Sequence, residues 1–416
     1  MTREYVPRLA DRVLAEIVEA HPAVLIVGPR STGKTTSGLR KASSTLRLTE
    51  GRVAEALRSD PATVLSGRSE PILIDEWQIV PECLNAVKDR VDTVDRRGQF
   101  ILTGSVRGDL DSDMWPGTGR LIRVAMYGLT EREIARQTES PTWLDSIVSG
   151  NRFEGFWSEE NTRTYLARAL RSGFPEPTLR LDETGRQRWL ASYVDQLVTR
   201  DAAAVDHGRD PQRLRRYLEA LALNSAGIVD DTTLWEAARI NRATARAYDS
   251  LLQNLLVVEN VPAWTTNRLK RLSLAPKRYL VDSGLFAGVL GVSVDDVLID
   301  GDLTGKVLDT FVTAQLRAEL ALTVPQRRLS HLRLPQGRHE IDLIVELGPN
   351  NLAAVEIKAT SAPRHDDVKH LAWLRAQMGD SLKAAVLLHT GPAPIDFGDG
   401  ILGLPIATLW SNPEHR

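Results

Sequence analysis

Three short stretches in the N-terminal part of this chain carry side chains whose types and spacing suit chemistry. Gly28-Pro29-Arg30-Ser31-Thr32-Gly33-Lys34-Thr35-Thr36 has the spacing G-x-x-x-x-G-K-[ST], the Walker A pattern, in which glycines let the backbone curl so that successive N–H groups point at phosphates. Lys34 is then placed to reach β- and γ-phosphates and Thr35 to ligate magnesium, so ATP and Mg2+ are the expected ligands. Pro71-Ile72-Leu73-Ile74-Asp75-Glu76 is an apolar run ending in two carboxylates. There Asp75 is expected to hold the metal through its hydration shell and Glu76 to orient and polarise the attacking water. A third run, Gln99-Phe100-Ile101-Leu102-Thr103, stops at Thr103-Gly104-Ser105, where Thr103 or Ser105 is a candidate sensor of the γ-phosphate or the lytic water. Paired acids or hydroxyls at strand ends also serve as plain helix caps; their company with the Gly-rich loop favours the chemical reading.

The other chemical stretch is C-terminal. His339-Glu340-Ile341-Asp342-Leu343-Ile344-Val345-Glu346 and Leu352-Ala353-Ala354-Val355-Glu356-Ile357-Lys358 flank Gly348-Pro349-Asn350-Asn351 and read as a β-hairpin. A turn centred near Pro349 and Asn350 puts Asp342 nearly opposite Glu356, about 5 Å apart between Cβ atoms, with Lys358 on the face of Glu356. This resembles the PD-(D/E)xK nuclease constellation, in which an acid on the preceding helix, here Asp309, joins the two carboxylates. The resemblance implies magnesium held by Asp309, Asp342 and Glu356 beside a scissile phosphate, with Lys358 activating water and stabilising the oxyanions. Glu340 is a second helper. The ATPase family whose motifs this chain also resembles usually has glutamate where Asp309 stands. A charged strand edge of ordinary alternating burial is the bland alternative, and such domains often persist as binding modules.

The elements that must hold these groups follow from periodicity. Ala23–Val27, Ile72–Ile74 and Phe100–Leu102 are short, continuously apolar runs of the kind found in parallel sheets covered on both faces. From about Thr142 to Asp201 the pattern is helical and amphipathic, broken at Gly173-Phe174-Pro175-Glu176-Pro177. Residues 206–280 read as three helices, Leu214 to Asn224, one capped at Asp231, and one opening at Asn241, followed by strands near Val257–Val261 and Lys277–Val281. That is a winged helix-turn-helix. The segment has 12 Lys and Arg against 8 Asp and Glu. Arg242, Arg246, Arg268, Lys270 and Arg271 fall where a recognition helix and wing tip would meet DNA phosphates, although a solvated helix face carries the same residues.

Tyr5-Val6-Pro7-Arg8, the phosphate loop, Ile74-Asp75-Glu76-Trp77-Gln78, Leu102-Thr103-Gly104-Ser105, Gly119-Arg120, Leu129-Thr130-Glu131-Arg132-Glu133, Gly173-Phe174-Pro175-Glu176 and Tyr279-Leu280-Val281-Asp282-Ser283-Gly284-Leu285 together resemble a prokaryotic AAA-type P-loop ATPase family whose members carry a C-terminal domain of unknown function. The implied architecture is α/β: an AAA-type P-loop domain over 1–140, a helical lid or linker over 141–205, a winged helix-like domain over 206–290 and a restriction-endonuclease-like domain over 291–416. AAA-type sites commonly need an arginine in cis or from a neighbouring subunit; Arg120 is the candidate, ahead of Arg123 and Arg107, and a shared site would require a homo-oligomer.

Composition narrows the classes. With 52 basic and 54 acidic side chains, tail-driven nucleic-acid binding is excluded and any basic surface must be local. Cys83 is the only cysteine, so intramolecular disulfides and cysteine-rich zinc sites are excluded. No run of 18 apolar residues spans a membrane, and a cytoplasmic location is expected. Only 9 lysines stand beside 43 arginines; a lysine at a given position is therefore informative, and both Lys34 and Lys358 lie in chemical motifs. Two functions remain: an ATP-hydrolysing switch coupled to a DNA-binding, possibly DNA-cleaving, C-terminal half, or an ATP-dependent signalling or antitoxin-like interaction protein with an inert nuclease-like domain.

Overall fold

The computed structural model describes residues 4–105, 119–201, 210–334 and 337–411, apart from the side chains at 201 and 268. Arg107, the expected boundary at 205/206 and the side chain of Arg268 lie outside what is described. The chain divides into two compact units, Met1–Leu129 with Leu252–Val257, and Thr130–Leu251 with Val258–Arg416. The second unit thus begins ahead of the expected boundary at 140. No helix among the described residues is long and apolar enough to cross a membrane.

The first unit is built on a parallel sheet of β1 (Ala23–Val27), β2 (Ser44–Arg47), β3 (Ile72–Asp75), β4 (Phe100–Gly104) and β5 (Leu121–Ala125), in the order β2-β3-β4-β1-β5. Strands β1, β3 and β4 were legible as apolar runs. The edge strands β2 and β5 were not: Ser44-Thr45-Leu46-Arg47 and Leu121-Ile122-Arg123-Val124-Ala125 carry polar residues, as edge strands do. Val24, Ile72, Leu73, Ile74 and Leu102 have no exposed surface, each such side chain contributing roughly 1.5–3 kcal/mol of transfer free energy. Because β4 lies between β1 and β3, the tip of β4 stands between the phosphate loop that follows β1 and the carboxylates that end β3.

The second unit opens with helices Trp143–Val148, Thr162–Arg171, Pro175–Arg180 and Glu183–Gln196. The proline-bearing segment does more than break the pattern. Pro175 sits in the first turn of a new helix, where its missing N–H costs nothing. Helices Pro211–Leu223, Asp231–Ala237 and Arg242–Asn254 then lead into the antiparallel pair β6 (Val258–Val261) and β7 (Lys277–Leu280), the expected order with ends shifted by one to three residues.

The C-terminal part is a mixed six-stranded sheet, ordered β12-β13-β11-β10-β9-β8. Its strands are β8 (Leu329–Arg333), β9 (Glu340–Gly348), β10 (Asn351–Lys358), β11 (Leu382–His389), β12 (Ile395–Asp396) and β13 (Ile401–Pro405). The hairpin β9–β10 turns at Pro349 and Asn350 as its sequence implies. The last two strands were not anticipated, since β12 has two residues and β13 carries Gly403 and Pro405. Strands β10 and β11 are almost continuously buried, because helix Gly301–Leu320 packs on β10 and helix Lys369–Met378 on β11.

The segment Thr130-Glu131-Arg132-Glu133 is structural. Thr130 and Glu133 form a capping box, Glu131 pairs with Arg168 and Arg171, and the guanidinium of Arg132 donates to Glu319 at 2.5 Å with both side chains buried. Glu319 also accepts from the backbone N–H of Trp143 at 3.0 Å. Removing one partner of a buried ion pair leaves the other charge uncompensated, so Glu319→Ala should cost about 3–5 kcal/mol. The expected readout is an early urea transition of the second unit; an unchanged midpoint would mean that water replaces the lost carboxylate.

Candidate functional site

The phosphate loop is shaped by two glycines. A Cβ on Gly28 would lie 1.9 Å from the backbone oxygen of Met126, and Gly33 has φ 96°, a left-handed conformation that L side chains avoid. Ser31 is also left-handed. Within the loop Thr32 donates to the carbonyl of Pro29 at 2.9 Å, and from outside the buried Arg8 clamps it, donating to the carbonyls of Thr32 at 2.8 Å and Tyr127 at 2.8 Å. Tyr5 adds a bond to Asp11 at 2.7 Å and one shared with Ser37 at 3.0 Å. Arg30, Ser31 and Thr36 are exposed.

Lys34 is buried and donates to the carbonyls of Gly28 at 2.9 Å and Pro29 at 2.7 Å. Burial pushes its pKa down to about 8, with Glu76 and Asp75 pulling the other way. The ammonium therefore rests on loop oxygens that a nucleotide's phosphates would replace.

Three strand and loop ends meet at Asp75. Its Oδ1 accepts from the hydroxyls of Thr35 at 2.7 Å and Thr103 at 2.6 Å, and Thr103 is its register partner on β4. The Thr103 oxygen in turn accepts from the backbone N–H of Glu76 at 3.2 Å. Glu76 has φ 57°, an uncommon conformation for a non-glycine residue and of the kind found at functional sites. Its carboxylate accepts from Ser105 at 3.1 Å and from the amide of Gln78, which also donates to Ser105 at 3.2 Å. A hydroxyl and a carboxylate in direct contact, beside a lysine and a loop of N–H groups, form a donor set that fits a magnesium-nucleotide complex. Sequence reading placed Lys34, Thr35, Asp75, Glu76 and Thr103 here; it assigned no role to Arg8 or Gln78, although both stand in quoted motifs.

The C-terminal hairpin brings its groups together, with one addition. Lys358 lies 2.8 Å from Glu356, and Asp342 Oδ2 accepts from the backbone N–H of Ile357 at 2.9 Å. Between Asp309 and Asp342 stands Lys277, which sequence reading left unassigned. Its Nζ is 2.7 Å from Asp309 Oδ2 and 2.8 Å from Asp342 Oδ1. Burial pushes Asp309 up to about 6 against the pull of Lys277. Burial and then the Asp342 charge push Glu356 up to about 8. Among the described residues no group of three or more His, Cys, Asp or Glu is arranged to hold a metal ion. The expected donor set of Asp309, Asp342 and Glu356 therefore does not fit a divalent ion as it stands, because a lysine side chain fills the space between two of its members.

Residues 20–135 match the family model of an AAA domain. This part of the chain is thus similar to AAA-type P-loop domains. Residues 162–296 and 304–409 match two domains of unknown function, DUF8612 and DUF4143. An uncharacterized protein of Mycobacterium tuberculosis and one of Mycobacterium bovis are each 29% identical over 388 residues, covering 92% of this chain and 80% of theirs. A Walker-type ATPase of Pyrococcus abyssi aligns structurally over 70% of this chain and 99% of its own, with a TM-score of 0.40 and 13% identity.

Within the AAA domain, Arg120 does not reach the phosphate loop of its own chain. It precedes β5, whose Leu121 is opposite Ala23, whereas the loop follows Val27, opposite Ala125. The separation is about five residues of strand, on the order of 16 Å, and Arg120 pairs with Asp92. A role in cis is thereby corrected for Arg120. Arg123, opposite Leu25 and exposed, is likewise midway along the sheet.

Binding of a polyphosphate should raise the pKa of Lys34, so at pH 8.5 the free protein, with that amine largely neutral, must take up protons as ATP binds. Calorimetry in two buffers of different ionisation heat should read net uptake in the wild type and a smaller value in Lys34→Ala, which should also lose tight binding. Equal heats in both buffers would mean that Lys34 is already charged in the free loop.

Proposed function

We propose that this chain binds ATP with Mg2+ and hydrolyses it. The observation that carries the reading is the junction at Asp75, where the hydroxyls of Thr35 and Thr103 meet one carboxylate oxygen beside Glu76. In the proposed mechanism the backbone N–H groups of Arg30 to Thr36 and the ammonium of Lys34 hold the phosphates. Thr35 and Asp75 would hold the magnesium, which supplies charge neutralisation at the transferring phosphoryl group. Glu76, steadied by Ser105 and Gln78, orients water and accepts its proton, while Thr103 ties the position of Glu76 to that of Asp75. An arginine from a second copy, for which Arg120 is the candidate, would make the site shared.

The test is steady-state phosphate release together with nucleotide binding. Glu76→Gln should keep ATP affinity within a few-fold while hydrolysis falls by orders of magnitude. Normal turnover in that variant would remove Glu76 from the mechanism. Mixing Arg120→Ala with Glu76→Gln should restore activity only if sites are shared between copies.

For the C-terminal half we propose a winged helix-like module that contacts DNA phosphates. Arg242 and Arg246 are exposed, one turn apart on helix Arg242–Asn254, and Lys270 is exposed between β6 and β7. Arg271 supports the reading less, being held by Glu346 at 2.9 Å. If the helix lies against DNA, log affinity should fall linearly with log salt, and Arg242→Ala or Arg246→Ala should each lower the slope by about 1. An affinity indifferent to salt and to both substitutions would favour a protein partner, the ATP-dependent interaction reading.

A further inference from the structure

Helix Gly301–Leu320, β7, β9 and β10 together bring five charged side chains to one place. Of the six carboxylate oxygens involved, five accept from protein donors. Asp309 Oδ2 and Asp342 Oδ1 are taken by Lys277. Asp309 Oδ1 accepts from the hydroxyls of Tyr279 at 3.1 Å and Thr313 at 3.2 Å. Asp342 Oδ2 is held by the N–H of Ile357, and Glu356 Oε1 by Lys358. Glu356 Oε2 alone is buried without a hydrogen-bond partner. Magnesium and manganese favour octahedral shells of oxygen ligands, several of them waters. The oxygens that could supply such a shell here are mostly taken by protein donors, one from each aspartate by the same ammonium.

Lys277 is as confined as the acids. Its side chain has 2% of its surface exposed, and its neighbour on the same face of β7, Tyr279, is fully buried and donates to the same aspartate. One ammonium thus serves both aspartates, while Lys358 serves Glu356.

We propose that Lys277 is a built-in cation that takes the place of a divalent metal between Asp309 and Asp342, so that this nuclease-like cluster is a metal-free structural junction. It also ties together the two parts matched to different domains of unknown function. Lys277 lies in the stretch 162–296, whereas Asp309 and Asp342 lie in 304–409. The inference rests on this geometry and is independent of ATP hydrolysis in the first unit.

The experiment uses the full chain without nucleotide, titrated with Mn2+ while thermal unfolding is followed, with nicking of supercoiled plasmid scored in parallel. In the wild type, Mn2+ should give no response that is lost in Glu356→Gln, and no nicks. Lys277→Met removes the ammonium while keeping an apolar stem, leaving two buried carboxylates that recruit a cation. Its unfolding temperature should rise by several degrees with millimolar Mn2+, and adding Asp342→Asn should abolish that rise. A wild-type Mn2+ response or nicking activity that disappears in Glu356→Gln would overturn the proposal. So would a folded Lys277→Met protein indifferent to Mn2+. Should Lys277→Met not fold, the wild-type and Glu356→Gln arms decide alone.

Discussion

An ammonium group withdrawn from water must find oxygen atoms to replace its hydration, and the arrangement of both chemical sites in this protein follows from that requirement. Lys34 meets it with two backbone carbonyls of its own loop, and Lys277 with two carboxylates from different elements. The difference in partner decides what each lysine can do. Carbonyls compensate only part of the lost hydration, so Lys34 is held below its ordinary basicity and stays ready for a polyanion. Against burial, which lowers it, the paired carboxylates hold the pKa of Lys277 well above its ordinary value.

The parallel sheet solves a separate problem, that of bringing residues far apart in sequence within hydrogen-bonding distance. Thr35, Asp75 and Thr103 meet because β4 is inserted between β1 and β3 and all three strands run the same way. Parallel strands end together, so each contributes its C-terminal residue to one rim. The same geometry removes Arg120 from the site of its own chain, since a residue that precedes a parallel strand sits at the opposite rim.

Motif resemblance and chemical role diverge in the second unit. Glu131 and Arg132 belong to a stretch that resembles an ATPase family signature, yet their partners are Arg168, Arg171 and Glu319, and their contribution is to packing. Arg242 and Arg246, by contrast, stand exposed one turn apart on helix Arg242–Asn254.

The sequence by itself determined the phosphate loop, the three apolar strands of the first sheet and the C-terminal hairpin, because each is written in local spacing: glycines at fixed offsets, short apolar runs, a turn at Pro349 and Asn350; the register of that hairpin shifts by one residue between Asn351 and Leu352, which no local pattern announces. It also held an unread hint, for Lys277 is one of only 9 lysines in an arginine-rich chain. What only the tertiary structure decided was which charges meet. The edge strands β2 and β5, the clamp of Arg8 on the loop and the placing of Lys277 between Asp309 and Asp342 depend on contacts across 24 to 120 residues of chain. No local periodicity encodes such contacts, because the partner of a buried charge is chosen by where the packed elements leave it and not by what stands next to it in sequence.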